Sequence, residues 1–163
     1  MDDSNSCDNA VTTLQIRPAT LADAGIITSH RRRMFGDMGE PDQAKLDAMC
    51  AAFRPWLERK MASGEYLAWL AAAPSGEVVA GAGLWLMDWP PHMVPGGIRG
   101  NILNVYTDRE YRRQGLARHL VGTAMEWCRS NGVRAVILHA SDEGRDLYRS
   151  LGFRPTNEMR IIL

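Results

Sequence analysis

The segment Asn104-Val-Tyr-Thr-Asp-Arg-Glu-Tyr-Arg-Arg-Gln-Gly-Leu-Ala117 joins a predicted strand to a predicted amphipathic helix. The first turn of such a helix offers free backbone N–H groups and the positive end of the helix dipole, which together bind anions. Gly115 and Ala117 lack the side chains that would keep a phosphate away from this turn, and Arg112 and Arg113 add positive charge. The segment therefore predicts a phosphate site, with an ordinary helix start that carries small residues as the alternative. It contains no GxxxxGK[ST] motif of the nucleotide hydrolases.

Outward from this segment, apolar periodicity predicts alternating strands and helices. The strands are expected at residues 13–17, 66–73, 78–89, 98–107, 133–140 and 159–163, and the helices at 21–34, 41–61, 115–131 and 142–151. Pro18 is expected to end the first strand, and Pro74-Ser75-Gly76 predicts an antiparallel hairpin. The later order of strand, helix and strand indicates parallel neighbours in one sheet.

A second motif, Ser141-Asp-Glu-Gly-Arg-Asp-Leu-Tyr-Arg-Ser-Leu-Gly-Phe153, follows the next predicted strand. Ser141 or Asp142 is a suitable N-cap and Gly152 a suitable C-terminal stop, so a short helix is predicted. Its spacing places two leucines, Leu147 and Leu151, toward the core. Ser141, Gly144 or Arg145, and Tyr148 share another face that can meet a ligand.

The two motifs together, Arg112-x-x-Gly115-x-Ala117 and Leu147-Tyr148-x-x-Leu151-Gly152-Phe153, resemble those of the Gcn5-related N-acetyltransferase (GNAT) superfamily. The resemblance covers residues 12–163 as a single domain, which leaves residues 1–11 as a flexible N-terminal tail. It implies a mixed α/β (α+β) fold with a central mixed sheet, splayed between the fourth and fifth strands and flanked by about four helices.

The resemblance also implies an N-acetyltransferase that moves an acetyl group from acetyl-CoA to a primary amine, by direct attack in a ternary complex. Acetyl-CoA would lie in the splay, with its pantetheine arm on the main chain of Val105, Tyr106 and Thr107. The residues carried over to the pyrophosphate loop are Arg112, Arg113, Gln114, Gly115, Leu116, Ala117 and Arg118. A small-molecule acceptor is favoured; a peptide or protein N-terminus and a non-catalytic acyl-CoA sensor are the alternatives.

Tyr148 matches the family tyrosine that protonates the departing CoA thiolate. A phenol with a pKa near 10 is protonated at neutral pH and can serve a thiolate whose parent thiol has a pKa near 8.5. The alternative is a tyrosine that only packs. The chain departs from the family pattern at two positions: Ser141 stands where many members have Asn, and Arg109 where many have Pro. A serine hydroxyl still offers one hydrogen bond to the pantetheine.

The sequence does not identify a single general base or a single set of residues for the acceptor pocket. The candidate bases are Asp88, His92, Asp108, Glu110 and His139, beside the strand residues Asn101, Asn104 and Tyr106, and water is a further candidate. Of these, His139 is expected to be a packing residue of its strand. Trp85, Met87, Trp89 and Met93 either line an acceptor pocket or pack ordinarily. The run from Arg31 to Arg33 is attributed to the helix dipole, with contact to an acidic acceptor as the alternative.

Composition excludes several classes of function. The chain has 163 residues with 19 basic and 19 acidic side chains, so nothing favours nucleic acid or a membrane surface as a partner,. The longest apolar stretch, residues 78–87, is about half of the roughly 20 residues that span a bilayer. The acidic, polar opening differs from a secretory signal, and three widely spaced cysteines indicate reduced thiols, so a cytoplasmic enzyme is expected,. No metal is expected, and a homodimer is left open.

Overall fold

The strands of the sheet lie side by side in chain order in the computed structural model, which describes residues 14–163. They are β1 (Gln15–Pro18), β2 (Tyr66–Ala72), β3 (Val78–Asp88), β4 (Ile98–Thr107) and β5 (Ala135–Leu138). The first three pairings are antiparallel and the β4–β5 pairing is parallel, which confirms the hairpin and the parallel neighbours. The predicted tail and the first residue of the predicted opening strand, Thr13, lie outside the described residues.

Four α-helices flank this sheet: α1 (Ala24–Asp37), α2 (Gln43–Ala62), α3 (Leu116–Ser130) and α4 (Arg145–Ser150). Asp42 caps α2, because its side chain accepts a hydrogen bond from the backbone N–H of Lys45 at 3.1 Å,. Gly115 precedes α3 in the left-handed conformation at φ +79°. None of these described helices combines the length and the apolar character that a membrane span needs.

The helices cover the two faces of the sheet with separate apolar cores. On one face α3 buries the stripe that the sequence predicts, and Leu120, Ala124 and Cys128 are almost fully enclosed. On the other face α1 and α2 pack against β2 through Ile27, Leu57 and other apolar residues. The sheet is therefore sandwiched between α3 on one face and α1 and α2 on the other, and two of its strands part from each other along their length,.

The parting occurs between β4 and β5. Residues 99–102 of β4 pair with residues 135–138 of β5, whereas the part of β4 from residue 103 to residue 107 has no partner in β5. The main-chain groups on that edge of β4 are left without a strand to bond. This arrangement confirms the splay between the fourth and fifth strands.

A β-bulge lies in β4 beside the splay. Gly83 is opposite Leu103 but Gly81 is opposite Tyr106, so β4 carries one extra residue in this interval,. Asn104 has φ +53°, in the left-handed region that asparagine tolerates better than most residues,. Because the bulge interrupts the alternation, Leu103 and Asn104 both face the α1 and α2 side of the sheet.

The first and the last predicted strands have different outcomes. The first strand ends at Pro18 as predicted, and Pro18 is itself its last paired residue, opposite Trp69, since an edge strand tolerates a missing N–H,. The prediction of a strand at residues 159–163 is wrong, because that strand does not form. Met159, Ile161, Ile162 and Leu163 are exposed, and a β-prone sequence without a paired neighbour has nothing to stabilise it as a strand,.

Candidate active site

The first turn of α3 presents unpaired backbone donors at the end of β4. Within residues 14–163, the N–H groups of residues 115–118 donate to no protein acceptor. A Cβ atom added to Gly115 would meet nothing within 4 Å, so the space in front of the turn is open. The turn therefore has the free donors and the access that the predicted pyrophosphate site requires.

The arginines of this loop have different surroundings. Nε of Arg112 donates to the carbonyl oxygen of Thr107 at 2.9 Å, and its guanidinium also pairs with Asp37, so it braces the loop. Arg118 donates to the hydroxyl of Ser150 at 2.7 Å and thereby joins α3 to α4. Arg113 is exposed, has φ +61°, and has no ion pair among the described residues. Of the three, Arg113 is the one available to an incoming anion.

The other residues predicted for the cofactor lie beside this turn. Val105 packs toward α3, while Tyr106 lies 5.1 Å from the His30 ring on the opposite face. The hydroxyl of Thr107 is buried without a hydrogen-bond partner in the described chain. Gln114 donates to the carbonyl oxygen of Glu110 at 3.3 Å. The structure thus brings the end of β4 and the start of α3 together in one corner.

Tyr148 lies half-buried on α4. Its ring meets Phe153 edge-on with the centroids 6.0 Å apart, and burial raises the pKa of its phenol. The hydroxyl has no partner among the hydrogen bonds within residues 14–163. A Cβ on Gly144 would lie 2.9 Å from the Tyr148 ring and 3.4 Å from Oγ of Ser141, which confirms that these residues share a face. The Ser141 hydroxyl accepts a hydrogen bond from the N–H of Gly144 at 3.3 Å.

A buried network holds the bulge, and sequence analysis missed it. The side-chain amide of Asn104 donates to the hydroxyl of Tyr66 at 2.9 Å, and Nη1 of Arg31 donates to Oδ1 of Asn104 at 2.6 Å. Tyr66 is fully buried, which raises its pKa to about 12. Gly83 leaves the room for this hydroxyl, because a Cβ there would lie 2.0 Å from it. The polar Asn104 within an apolar strand was the only sequence signal.

Ion pairs join α1 to the loop after β4. Arg33 pairs with Asp108, and Arg109 and Arg112 both bond Asp37 and thereby lower the pKa of its carboxyl group. Because α1 continues to Asp37, its last turn holds no basic residue. The attribution of the arginine run at residues 31–33 to the helix dipole is therefore wrong.

Several candidate bases interact with other groups of the protein. Asp108 is the partner of Arg33. The packing role predicted for His139 is wrong, because β5 ends at Leu138 and the exposed His139 places Nε2 3.0 Å from Glu158. Among the other candidate bases, Nδ1 of His92 accepts a hydrogen bond from the N–H of Val94 at 3.4 Å, and Asp88 and Glu110 are exposed. Within residues 14–163, no three His, Cys, Asp or Glu side chains converge as metal ligands.

The tryptophans and Met93, which are candidates for an acceptor pocket, have different surroundings. Trp85 meets Trp56 edge-on at 5.2 Å, and the Trp89 ring lies 3.4 Å below the guanidinium of Arg99. Met93 is 94% exposed and contributes to no enclosed wall. Trp85 lies opposite Asn101 on the face of the sheet covered by α1 and α2, whereas Trp89 follows the end of β3 and bonds Gly97 through its N–H.

His30 is buried against the sheet in its neutral form, and this predicts a loss of stability in mild acid. Burial lowers its pKa to about 4, with Arg33 adding to the shift and Asp108 opposing it. Below about pH 6.5 the unfolded chain binds a proton that the folded chain does not. The free energy of unfolding is therefore expected to fall by up to about 3 kcal/mol as the pH drops from 6.5 toward 4.

Denaturant unfolding at pH 7 and at pH 5 measures this effect. The loss between the two values should be smaller in His30→Gln than in the natural chain, whereas His92→Gln, at an exposed position, should leave it unchanged. An equal loss in His30→Gln would contradict the assignment.

Comparison with known proteins agrees with this architecture. Residues 28–153 match the Acetyltransferase (GNAT) family. A GCN5-related N-acetyltransferase from Ralstonia eutropha JMP134 is 34% identical with a TM-score of 0.87, over 93% of this chain and 99% of that one. A predicted acetyltransferase from Clostridium acetobutylicum, solved with acetyl-CoA, is 24% identical with a TM-score of 0.84, over 93% and 96% of the two chains.

Among characterised relatives, glucosamine 6-phosphate N-acetyltransferase of Trypanosoma brucei brucei is 36% identical over 92 residues. That match covers 55% of this chain and 60% of the relative, so less than two thirds of the relative's length is represented. The family match and the Ralstonia structure extend much further along the chain. Together with the splayed sheet and the open first turn of α3, they show that the chain belongs to the GNAT family of acetyltransferases.

Proposed function

We propose that the chain transfers an acetyl group from acetyl-CoA to the primary amine of a small molecule, by direct attack within a ternary complex. One observation carries the proposal: the unpaired N–H groups at the start of α3 lie at the end of β4, where β5 has diverged. Phosphate groups bind at such helix termini. An extended amide arm can bond the unpaired edge of a strand.

In this arrangement the pyrophosphate binds residues 115–118 with Arg113 beside them, and the pantetheine arm follows the main chain of residues 105–107 toward the bulge. The amine nitrogen forms a bond to the acetyl carbon while the bond from carbon to sulfur breaks. The amine gives up its proton to water, the thiolate takes a proton from Tyr148, and the Tyr148 phenolate regains one from water. Since an alkyl ammonium has a pKa near 10, the acceptor must lose its first proton before it attacks.

Two relatives support the choice of substrates. The Clostridium protein, which shares the fold, was solved with acetyl-CoA. The Trypanosoma relative is named for an amino sugar phosphate, a small molecule with a primary amine. A small acceptor is therefore preferred over a peptide.

A screen of acceptors tests the proposal. Acetyl-CoA is offered with polyamines, amino acids, amino sugars, aminoglycosides and short peptides, and release of the CoA thiol is followed together with the mass of the acetylated product. We expect turnover with at least one small amine, little release without an amine, and the same rate in the presence of a chelator. Turnover with peptides alone would contradict the small-molecule acceptor, and tight acetyl-CoA binding with no transfer to any amine would indicate a sensor.

A further inference from the structure

Five buried polar atoms without partners in the described chain lie on the α1 side of β4. Two of them, Nε of Arg33 and Nε2 of His30, lie beside the Tyr106 ring. The other three form a row toward the start of the strand: Nε of Arg31, which reaches β4 from α1, and Oδ1 of Asn101 and Nε of Arg99 on the strand itself. Alternation along β4 places residues 99 and 101 on the face that also carries Asn104. Buried polar groups in native proteins are nearly always hydrogen-bonded to protein, water or a ligand, so this row of atoms offers hydrogen-bonding capacity that a polar ligand can use.

Arg31 is the residue of this row whose positive charge lacks a counter-ion among the described residues. Its guanidinium lies 4.9 Å from the ring centroid of Phe35 and 4.6 Å from that of Phe53, and one of its nitrogens donates to Asn104. Within residues 14–163, no carboxylate forms an ion pair with it, and the groups that act on its charge are Tyr66 and Cys50.

The neighbouring arginines differ from Arg31 in this respect. Arg32 bonds Asp47 at 2.8 Å, and Arg33 pairs with Asp108. Arg99 lies in the field of Glu158, whose pKa it helps to lower. Arg31 is therefore a half-buried cation beside the bulge that lacks the counter-charge its neighbours have.

The surroundings of Arg31 favour one kind of ligand. Burial of the guanidinium lowers its pKa, because the cation has lost water without gaining an anion,. The two phenyl rings stabilise the cation and leave its unused N–H donors along the edge of the group. That edge is a planar fork that matches the oxygens of a phosphate or a carboxylate.

We propose that Arg31 binds an anionic group of the acceptor, so that the substrates are primary amines that also carry a phosphate or a carboxylate. The inference rests on the proposed acetyl transfer. The anion binds the guanidinium of Arg31, which also donates to Asn104, and the amine of the same acceptor extends toward the splay between β4 and β5. Oδ1 of Asn101, which is an acceptor only, is available to a hydroxyl or ammonium hydrogen of the same molecule,.

Matched pairs of amines test this inference. Each pair shares a scaffold and differs in one anionic group: ethanolamine with O-phosphoethanolamine, propylamine with β-alanine, and glucosamine with glucosamine 6-phosphate. In the natural chain, kcat/KM should be about 10- to 100-fold higher for an anionic member, the range of one or two hydrogen bonds to a charged group. The phosphate and carboxylate pairs show which anion is preferred.

The variant Arg31→Met keeps the aliphatic stem and removes the charge. It should erase the preference within each pair, whereas any loss caused by leaving Oδ1 of Asn104 without its donor should fall equally on the neutral and the anionic amine. Arg31→Lys keeps the charge without the fork, is the more conservative change for folding, and should lose about tenfold on the anionic member alone. The matched control is Arg32→Met, next in the chain and paired with Asp47, which should retain the full preference.

The outcomes separate this inference from the proposed function. Equal rates for the two members of every pair, or an equal loss on both in the Arg31 variants at a temperature where they are folded, would overturn the anionic acceptor and leave acetyl transfer standing. If calorimetry shows no acetyl-CoA binding to the natural chain, the proposed function fails and the inference fails with it.

Discussion

A glutamate in place of Gly115 is expected to weaken acetyl-CoA binding by at least about 100-fold, the loss of roughly two hydrogen bonds to a charged group. Gly115 lies at the unpaired first turn of α3, and the space in front of it is open. A glutamate there fills the space that the pyrophosphate needs and adds a charge of the same sign. Calorimetric titration with acetyl-CoA measures the effect.

Gly132→Glu is the matched control at the other end of α3. Both glycines are in the left-handed region, at φ +79° and +73°, and neither would place a Cβ within 4 Å of another atom. The two variants therefore carry a similar backbone cost of about 1 kcal/mol, which a thermal melt records. Only Gly115→Glu should lose acetyl-CoA. If the two variants bind it equally well, the pyrophosphate does not lie at this turn.

The second large effect is expected at Tyr148. Tyr148→Phe keeps the ring that meets Phe153 edge-on and removes only the hydroxyl. If that hydroxyl protonates the thiolate, kcat should fall by about 10- to 1,000-fold while the affinity for acetyl-CoA persists, since one acid-base group contributes on this scale. Because the hydroxyl bonds nothing within the described chain, the melting midpoint should hardly change.

Gly144→Ala provides an independent test of the same role. The added Cβ would lie 2.9 Å from the Tyr148 ring, so the ring must shift although its hydroxyl is retained. We expect a fall in kcat in the same direction. A Phe variant with unchanged kcat would show that Tyr148 only packs, and a lower melting midpoint in that variant would indicate a structural partner for the hydroxyl.

Local sequence patterns predicted most of the helices and strands. The bounds of β4 and the buried stripe of α3 follow from alternation and from a 3.6-residue period, and both need only neighbouring residues,. The hairpin follows from Pro74-Ser75-Gly76, and the corner between β4 and α3 follows because the helix starts where the strand ends. Each of these predictions depends on a contiguous stretch of chain.

The features that the sequence did not predict depend on residues that are far apart along the chain. Arg31 and Asn104 are 73 positions apart, and Tyr66 and Asn104 are 38 apart, so no local period reveals their network. The absent strand at residues 159–163 has a β-prone sequence but lacks a partner, which composition does not show,. The cofactor residues, Tyr148 and the acceptor stay predictions, because they concern contacts with molecules outside the chain.

The bulge also restricts how the chain can vary. Gly83 gives room to the Tyr66 hydroxyl, that hydroxyl accepts from Asn104, and Asn104 accepts from Arg31. A side chain at position 83 collides with Tyr66, and a shorter residue at position 66 strands the amide of Asn104 in an apolar interior. We therefore expect substitutions at these four positions to have non-additive effects on stability, so that a second substitution can compensate part of the loss caused by the first.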